Sequence, residues 1–235
     1  VKPSDAIAAM ALSARDGQLS VVNPDSTRDL RPEVMDEAGR MRILPAAFWA
    51  GTTRDERALL GNRTGVYSFP TTELVEWLRD FIDGRSAIEI GAGHGVLADA
   101  LGIPGTDNRM QEIPEIAAHY RRTGQPTVTY GPNIIRADAG VAVRRYRPKV
   151  VIACWVTHRY DPRNHEAHGN MYGVDEAAIL DVCHDYVFIG NDLVHARKPI
   201  LSRPHMTINP PWLYSRALNP SSRDFIAVWS RLFRA

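Results

Sequence analysis

The chain has 235 residues, of which 44% are hydrophobic and 23% charged, with a formal net charge of +1 at neutral pH. That balance is ordinary for a soluble globular protein. No run of roughly 18 apolar residues is present to make a membrane-spanning helix. The length suits one large domain, or one domain with a substantial extension.

Cys154 and Cys183 are the two cysteines. Both sit in apolar runs, Ile-Ala-Cys-Trp and Leu-Asp-Val-Cys-His, so buried free thiols in a reducing, cytoplasmic setting are expected rather than a disulfide. The opening Val1-Lys2-Pro3-Ser4-Asp5 has no apolar stretch of the kind a secretory signal carries.

In chain order, Asp5–Ala14 is rich in Ala, Ile, Met and Leu and reads as a short helix. Residues 17–45 are mixed and interrupted by proline, with a further helix expected over Pro32–Met41. Ala46–Ala50 is apolar and includes Phe48 and Trp49. Residues 1–65 therefore read as a helical, loop-rich extension or cap, and 66–235 as the domain that carries the regular pattern.

From Thr71 the signals sharpen. A threonine cap precedes Leu74, Val75, Leu78, Phe81 and Ile82 on one helical face, and Gly84 supplies the stop. Ser86–Ile90 is a short strand, Gly91–Gly95 a glycine-rich turn, and Val96–Leu101 a helix. Pro104–Asp107 is a very short extended piece, Ile113–Thr123 a helix, Asn133–Asp138 a strand and Gly140–Tyr146 a short helix. Lys149–Val156 is the most apolar strand. Val174–Cys183 is a helix, and Tyr186–Gly190 a strand with no convincing helix after it. Pro211–Arg216 and Asp224–Trp229 flank the turn cluster Asn219-Pro220-Ser221-Ser222 and read as a hairpin. Alternation of strands and helices implies a parallel sheet covered on both faces.

The turn Glu89-Ile90-Gly91-Ala92-Gly93-His94-Gly95 has a physical use. Glycine admits left-handed backbone and lets a ligand approach closely, and the following helix start offers free N–H groups to an anion. A dinucleotide fingerprint would need a small residue where Val96 stands. The spacing is instead E-x-G-x-G-x-G. Asp107 and Asp138 follow at the ends of the next two strands, where ligands of open α/β sheets sit. A turn role for Asp107 and a helix cap for Asp138 are the plainer alternatives.

On these residues the chain resembles class I S-adenosylmethionine-dependent methyltransferases, over roughly 66–235. Ala87–Gly95 is similar to that family's first motif. Tyr67–Val75 is similar to the segment before it in many nucleic-acid and protein methyltransferases, where it often touches the methionine part of the cofactor. The resemblance implies a Rossmann-like, seven-stranded, mostly parallel sheet in three αβα layers with an antiparallel terminal hairpin. It implies S-adenosylmethionine as cofactor, with Phe69 and Thr71 near its methionine part. Glu89 and the backbone of Gly91, Ala92, Gly93 and Gly95 would hold the aminoacyl end. Asp107 with Asn108 would take the ribose hydroxyls, and Asp138 with Ala139 the adenine amine. The sequence departs from the family in the bulky His94, in the short second strand with Pro104, and in the missing helix after Gly190.

The transferred methyl would face the loop after the fourth strand, Ala153–Pro162. That loop lacks the Asp/Asn-Pro-Pro-aromatic signature of amino-methylating nucleic-acid enzymes. His158 is a candidate general base, Tyr160 and Asp161 candidates to position the acceptor, and Trp155 a surface to pack on the cofactor. A polar turn with internal hydrogen bonds is the alternative for 158–161. His158, His165, Glu166 and His168 lack metal-ligand spacing, and no metal is expected. Basic residues crowd into 119–163 (Arg121, Arg122, Arg136, Arg144, Arg145, Arg147, Lys149, Arg159, Arg163), a solvated or protein-contacting face more than a nucleic-acid one. The expected activity is methyl transfer to a small molecule ahead of nucleic acid. The alternative is a non-catalytic cofactor-binding module or partner subunit.

Overall fold

A computed structural model describes residues 22–231. The helix expected over Asp5–Ala14 lies outside the described residues. Three short helices come first: α1 (Arg31–Val34), α2 (Ala46–Ala50) and α3 (Arg54–Thr64). The helix expected over Pro32–Met41 ends at Val34. There the chain turns, with the Asp36 carboxylate accepting the Arg40 N–H at 2.7 Å and Met35 bridging to Met41. The sequence reading missed α3, which starts with a reciprocal cap. The Thr53 hydroxyl accepts the Glu56 N–H, and the Glu56 carboxylate accepts the Thr53 N–H at 2.6 Å. Trp49 on α2 stacks on Phe69 with ring centroids 4.7 Å apart, inside a cluster with Leu30, Val34, Leu60 and Val96.

The strands and helices that follow are β1 (Ser68–Phe69), α4 (Thr72–Ile82), β2 (Ala87–Ile90), α5 (Val96–Leu101), β3 (Gly105–Asp107), α6 (Pro114–Arg122), β4 (Ile135–Arg136), α7 (Ala139–Tyr146), β5 (Val150–Cys154), α8 (Glu176–Val182), β6 (Asp185–Asn191), β7 (Met206–Ile208), β8 (Tyr214–Ser215) and β9 (Asp224–Ser230). Seven strands form one sheet in the order β4-β3-β2-β5-β6-β9-β7. β2 to β6 run parallel, while β9 is antiparallel to both its neighbours. This is the expected Rossmann-like, mostly parallel sheet with an antiparallel end.

Strand alternation sorts the core into two faces. Val151, Ala153, Tyr186, Phe188, Ala227 and Trp229 point to one side, where α7 and α8 cover them. Val150, Ile152, Val187, Ile189, Ile226 and Val228 point to the other, against Leu74, Val75 and Leu78 of α4 and Leu97 of α5. Helices on both faces complete three layers. α4 is set by Thr71, whose hydroxyl accepts the Leu74 N–H at 3.1 Å.

The terminal hairpin differs in one arm. The partner of β9 is β7, with Met206 opposite Val228 and Ile208 opposite Ile226. The Pro211–Arg216 run instead pairs with β1, Tyr214 opposite Phe69 and Ser215 opposite Ser68. Pro210 and Pro211 carry no N–H and cannot extend a ladder, so the chain leaves the large sheet there. Between Asn191 and β7 lie turns and a single 3₁₀ turn over Pro199–Ser202, in agreement with the absent helix signal. Among the described residues no helix is long and apolar enough to cross a membrane.

Candidate functional site

β2, β3, β4 and β5 all end at the same edge of the sheet, where ligands of open α/β folds bind. β2 runs into the glycine turn, and the turn opens α5. Gly91 needs its freedom twice. Its φ is 61°, and a Cβ there would come within 2.6 Å of Val156 Cγ1. A cavity of about 210 Å³ opens beside this turn. Glu89, Gly91, Ala92, Gly93, Asp107, Asn108, Asp138, Ala139 and Trp155 line it, together with Tyr67, Tyr120, Tyr130 and Tyr172. Nine of the twelve residues expected around a cofactor therefore meet in one place.

Glu89 is 2% exposed, and its Oε2 has no hydrogen-bond partner. Burial pushes its carboxyl up to about 8, against which the Ala98 backbone hydrogen bond pulls downward. An orphaned acid oxygen in a cavity wall is costly unless a cationic ligand meets it. Asp107 turns back onto the glycine turn: Oδ2 accepts the Gly93 N–H at 3.0 Å and Oδ1 the Arg109 N–H at 2.7 Å. Burial raises its pKa while those two N–H groups lower it. Asn108 donates to the Tyr172 carbonyl at 2.8 Å, which ties the strand end to the loop after β5. Asp138 caps α7, with Oδ1 accepting from Gly140 N–H at 2.9 Å and Val141 N–H at 3.3 Å. Its Oδ2 lies 3.4 Å from Arg159. The plainer cap reading of Asp138 is thus realised on a residue that also lines the cavity.

Trp155 sits at the end of β5 with φ 56°, left-handed backbone in a bulky residue. Such a conformation costs about 1–2 kcal/mol and tends to occur at functional sites. Its ring lies 6.1 Å from Tyr67 and edge-on to His195 at 5.1 Å. Lys198 secures the next residue. Its Nζ donates to the Val156 carbonyl at 2.9 Å and lies 2.7 Å from Glu176 Oε2, both side chains being almost fully buried. The second of these contacts is an ion pair rather than a well-aligned hydrogen bond, since Oε2 lacks a partner by hydrogen-bond geometry. Tyr186 donates to Glu176 Oε1 at 2.7 Å.

Three expected cofactor residues stand apart. Phe69 is buried under Trp49, and Thr71 is consumed as the α4 cap and as a donor to the Trp212 carbonyl at 3.0 Å. Gly95 caps α5 behind the turn. The three expected catalytic residues also lie off the cavity wall. His158 Nε2 meets the Ala167 carbonyl at 3.0 Å, and burial followed by the Lys198 charge lowers its pKa. The Tyr160 hydroxyl meets His165, and Asp161 pairs with Arg163 at 3.0 Å, which lowers the Asp161 pKa. The cause is local pairing. Arg159 N–H donates to the Val174 carbonyl and Tyr160 N–H to the Asn170 carbonyl, so this stretch is bridged to 170–174 rather than closed as the internally bonded turn that was the alternative.

Sequence reasoning missed the aromatic wall. Gln111 links the turn at 110–112 to the loop above it: its Oε1 accepts the Val128 N–H at 2.7 Å and its Nε2 donates to Tyr120 at 3.4 Å. Burial raises the pKa of Tyr120 and Tyr130. His94, the bulky departure in the turn, is kept neutral. Burial, then the Arg40 charge, lowers it to about 4, and its Nδ1 accepts the Val96 N–H at 3.2 Å. Cys154 also lines the cavity, as a thiol that burial pushes up to about 12. Only the motif spacing of Tyr67 carried a signal for any of these.

No family model matches the sequence, and no curated protein does. Among solved structures the chain is similar to a SAM-dependent methyltransferase from Agrobacterium tumefaciens, at 11% identity over 66% of this chain and 60% of that one, TM-score 0.33. It is similar to an rRNA methylase from Streptococcus thermophilus at 13% identity over 66% and 93% of the two chains, TM-score 0.37. A third is the tRNA (uracil-54, C5)-methyltransferase of Pyrococcus abyssi in complex with S-adenosyl-L-homocysteine, at 12% identity over 66% and 37%, TM-score 0.34. Likeness at this level does not reach to substrate or activity.

Proposed function

We propose that this chain binds S-adenosylmethionine at the Gly91–Gly93 turn and directs its methyl group to an acceptor, a small molecule ahead of nucleic acid. The observation that carries the reading is Glu89 Oε2, a buried acid oxygen without a partner in the wall of the cavity. The α-ammonium group of an aminoacyl end would satisfy it, and a dinucleotide has no such group. The backbone of Gly91, Ala92 and Gly93 would lie against that end. Asp107, Asn108 and Asp138 would accept from hydroxyl and amine groups, and Trp155 and Tyr67 would exclude water. When bound, the cofactor supplies an electrophilic methyl group on a sulfonium. Transfer of such a group needs alignment more than proton movement. A cavity without His158, Tyr160 or Asp161 is compatible with that demand.

Calorimetry with S-adenosylmethionine and S-adenosylhomocysteine tests the reading, and absence of binding at millimolar ligand would sink it. The absence of His158, Tyr160 and Asp161 from the cavity wall favours a second reading, a non-catalytic cofactor-binding subunit. Cofactor binding without release of S-adenosylhomocysteine across broad acceptor pools would select it.

A further inference from the structure

A second cavity, of about 240 Å³, opens on the same edge of the sheet. It lies between the start of α3 and strands β8 and β9, and Arg54, Arg57, Tyr214, Arg223 and Asp224 line it. The β1–β8 ribbon divides the two cavities. Tyr67 and Ser68 line the first, and Tyr214 and Ser215 the second.

Arg54 and Arg57 are neighbours on one face of α3, three residues apart. Among the described residues neither makes an ion pair, and neither does Arg223. Arg54 donates to the carbonyls of Ala217 at 3.3 Å and Pro220 at 3.4 Å. Arg57 Nη1 donates to the Thr52 carbonyl at 2.7 Å and its hydroxyl at 2.8 Å, and the guanidinium lies 5.3 Å from the Tyr214 ring centroid. These contacts fix the two guanidinium groups without neutralising them. Burial, then the charge of Arg54, draws the Arg57 pKa down, and Tyr214, Asp224 and Glu56 offset this only in part. The nearby acids make their hydrogen bonds and close ion pairs with other groups. Glu56 pairs with Arg28 at 3.0 Å, and Asp224 Oδ1 accepts from Ser215 and from Asn191, each at 2.9 Å. Three guanidinium groups thus border a cavity with one lining carboxylate, Asp224, which feels the charges of Arg54 and Arg57 but makes its hydrogen bonds to Ser215 and Asn191, so positive charge stays in excess.

We infer that this second cavity binds a phosphate-class oxyanion, gripped by Arg54 and Arg57 with Arg223 at the rim. Forked guanidinium donors suit a tetrahedral dianion better than a point charge would. Free inorganic phosphate and the phosphate ester of a small molecule share this chemistry.

The test is calorimetry of the full chain, without cofactor and at fixed ionic strength, with inorganic phosphate and with methyl phosphate. Saturable binding of one or both is expected, weakened about tenfold by Arg54→Gln and by Arg57→Lys. Tighter binding of methyl phosphate identifies the ester, and tighter binding of phosphate the free anion. Arg57 also braces the 49–52 turn, so circular dichroism checks each fold. Arg223→Gln, at an exposed position, gives a smaller loss in a protein whose fold it leaves alone. Arg163→Gln, far from the cavity, changes nothing. The inference is overturned if neither anion binds, if chloride at equal ionic strength competes fully, or if Arg54→Gln and Arg223→Gln bind as the parent does. None of these outcomes touches the cofactor cavity.

Discussion

Replacing Glu89 by glutamine keeps the shape of the side chain and removes its ability to ionise. In the ligand-free protein burial holds this carboxyl at about 8, against 4.5 for an exposed glutamate. The folded state therefore retains a proton that the unfolded chain releases. That stabilisation is complete below about pH 4.5 and is lost as pH rises to about 8. At about 1.4 kcal/mol per unit, the loss amounts to roughly 4–5 kcal/mol as an upper bound. Urea denaturation at about pH 5 and about pH 8 should therefore show Glu89→Gln gaining several kcal/mol over the parent at the higher pH and little at the lower. Cofactor binding should move the other way. An α-ammonium group beside Glu89 favours its ionised form, so affinity for S-adenosylhomocysteine should rise about tenfold per pH unit below 8 in the parent. In the variant, binding should be weaker and that slope absent. A variant with a pH-independent stability difference, or one that binds with the parent's affinity and slope, would refute the argument from the orphaned oxygen.

Two further outcomes follow from the wall of the cavity. Trp155→Gly and Trp155→Ala delete the same indole, but at φ 56° only alanine keeps the left-handed penalty. Glycine should be the more stable of the two by about 1 kcal/mol in urea, and the reverse order contradicts the backbone assignment. Lys198→Met strands Glu176 in the core and should cost about 3–5 kcal/mol, most of it recovered when Glu176→Gln is added. Additive losses in that double-mutant cycle would show that the buried pair is not coupled.

What the sequence disclosed depends on how local each signal is. The E-x-G-x-G-x-G turn, Asp107 and Asp138 were legible because a strand end, a glycine turn and a helix start are specified by adjacent residues. The two-faced packing of β5 and β6 followed from apolar runs. The pairing of 211–216 was not legible, since Pro210 and Pro211 break a strand without saying where its continuation goes. His158, Tyr160 and Asp161 looked chemical by type, yet backbone bonds to Asn170 and Val174 turn them from the cavity. Those bonds close a loop whose length hid its register. Lys198 gave no sign, because its partners Val156 and Glu176 lie 42 and 22 residues away along the chain. Phe69 and Thr71 were assigned by motif, but the core beneath α2 and the cap of α4 claim them.

The placement of β9 has a consequence for how the molecule comes into being. β9 sits between β6 and β7, and β7 reaches the sheet through it alone. Until residues 224–230 have emerged from the ribosome, β6 shows an open edge of unpaired N–H and C=O groups, and Phe188 and Tyr186 lack the cover of Phe225 and Trp229. The sheet therefore closes only once β9 has been made, and a chain interrupted before β9 exposes a sticky apolar edge to its neighbours. The glycine turn and most of its cavity are encoded well upstream, so the ligand-binding half of the sheet can assemble while this edge still awaits its partner.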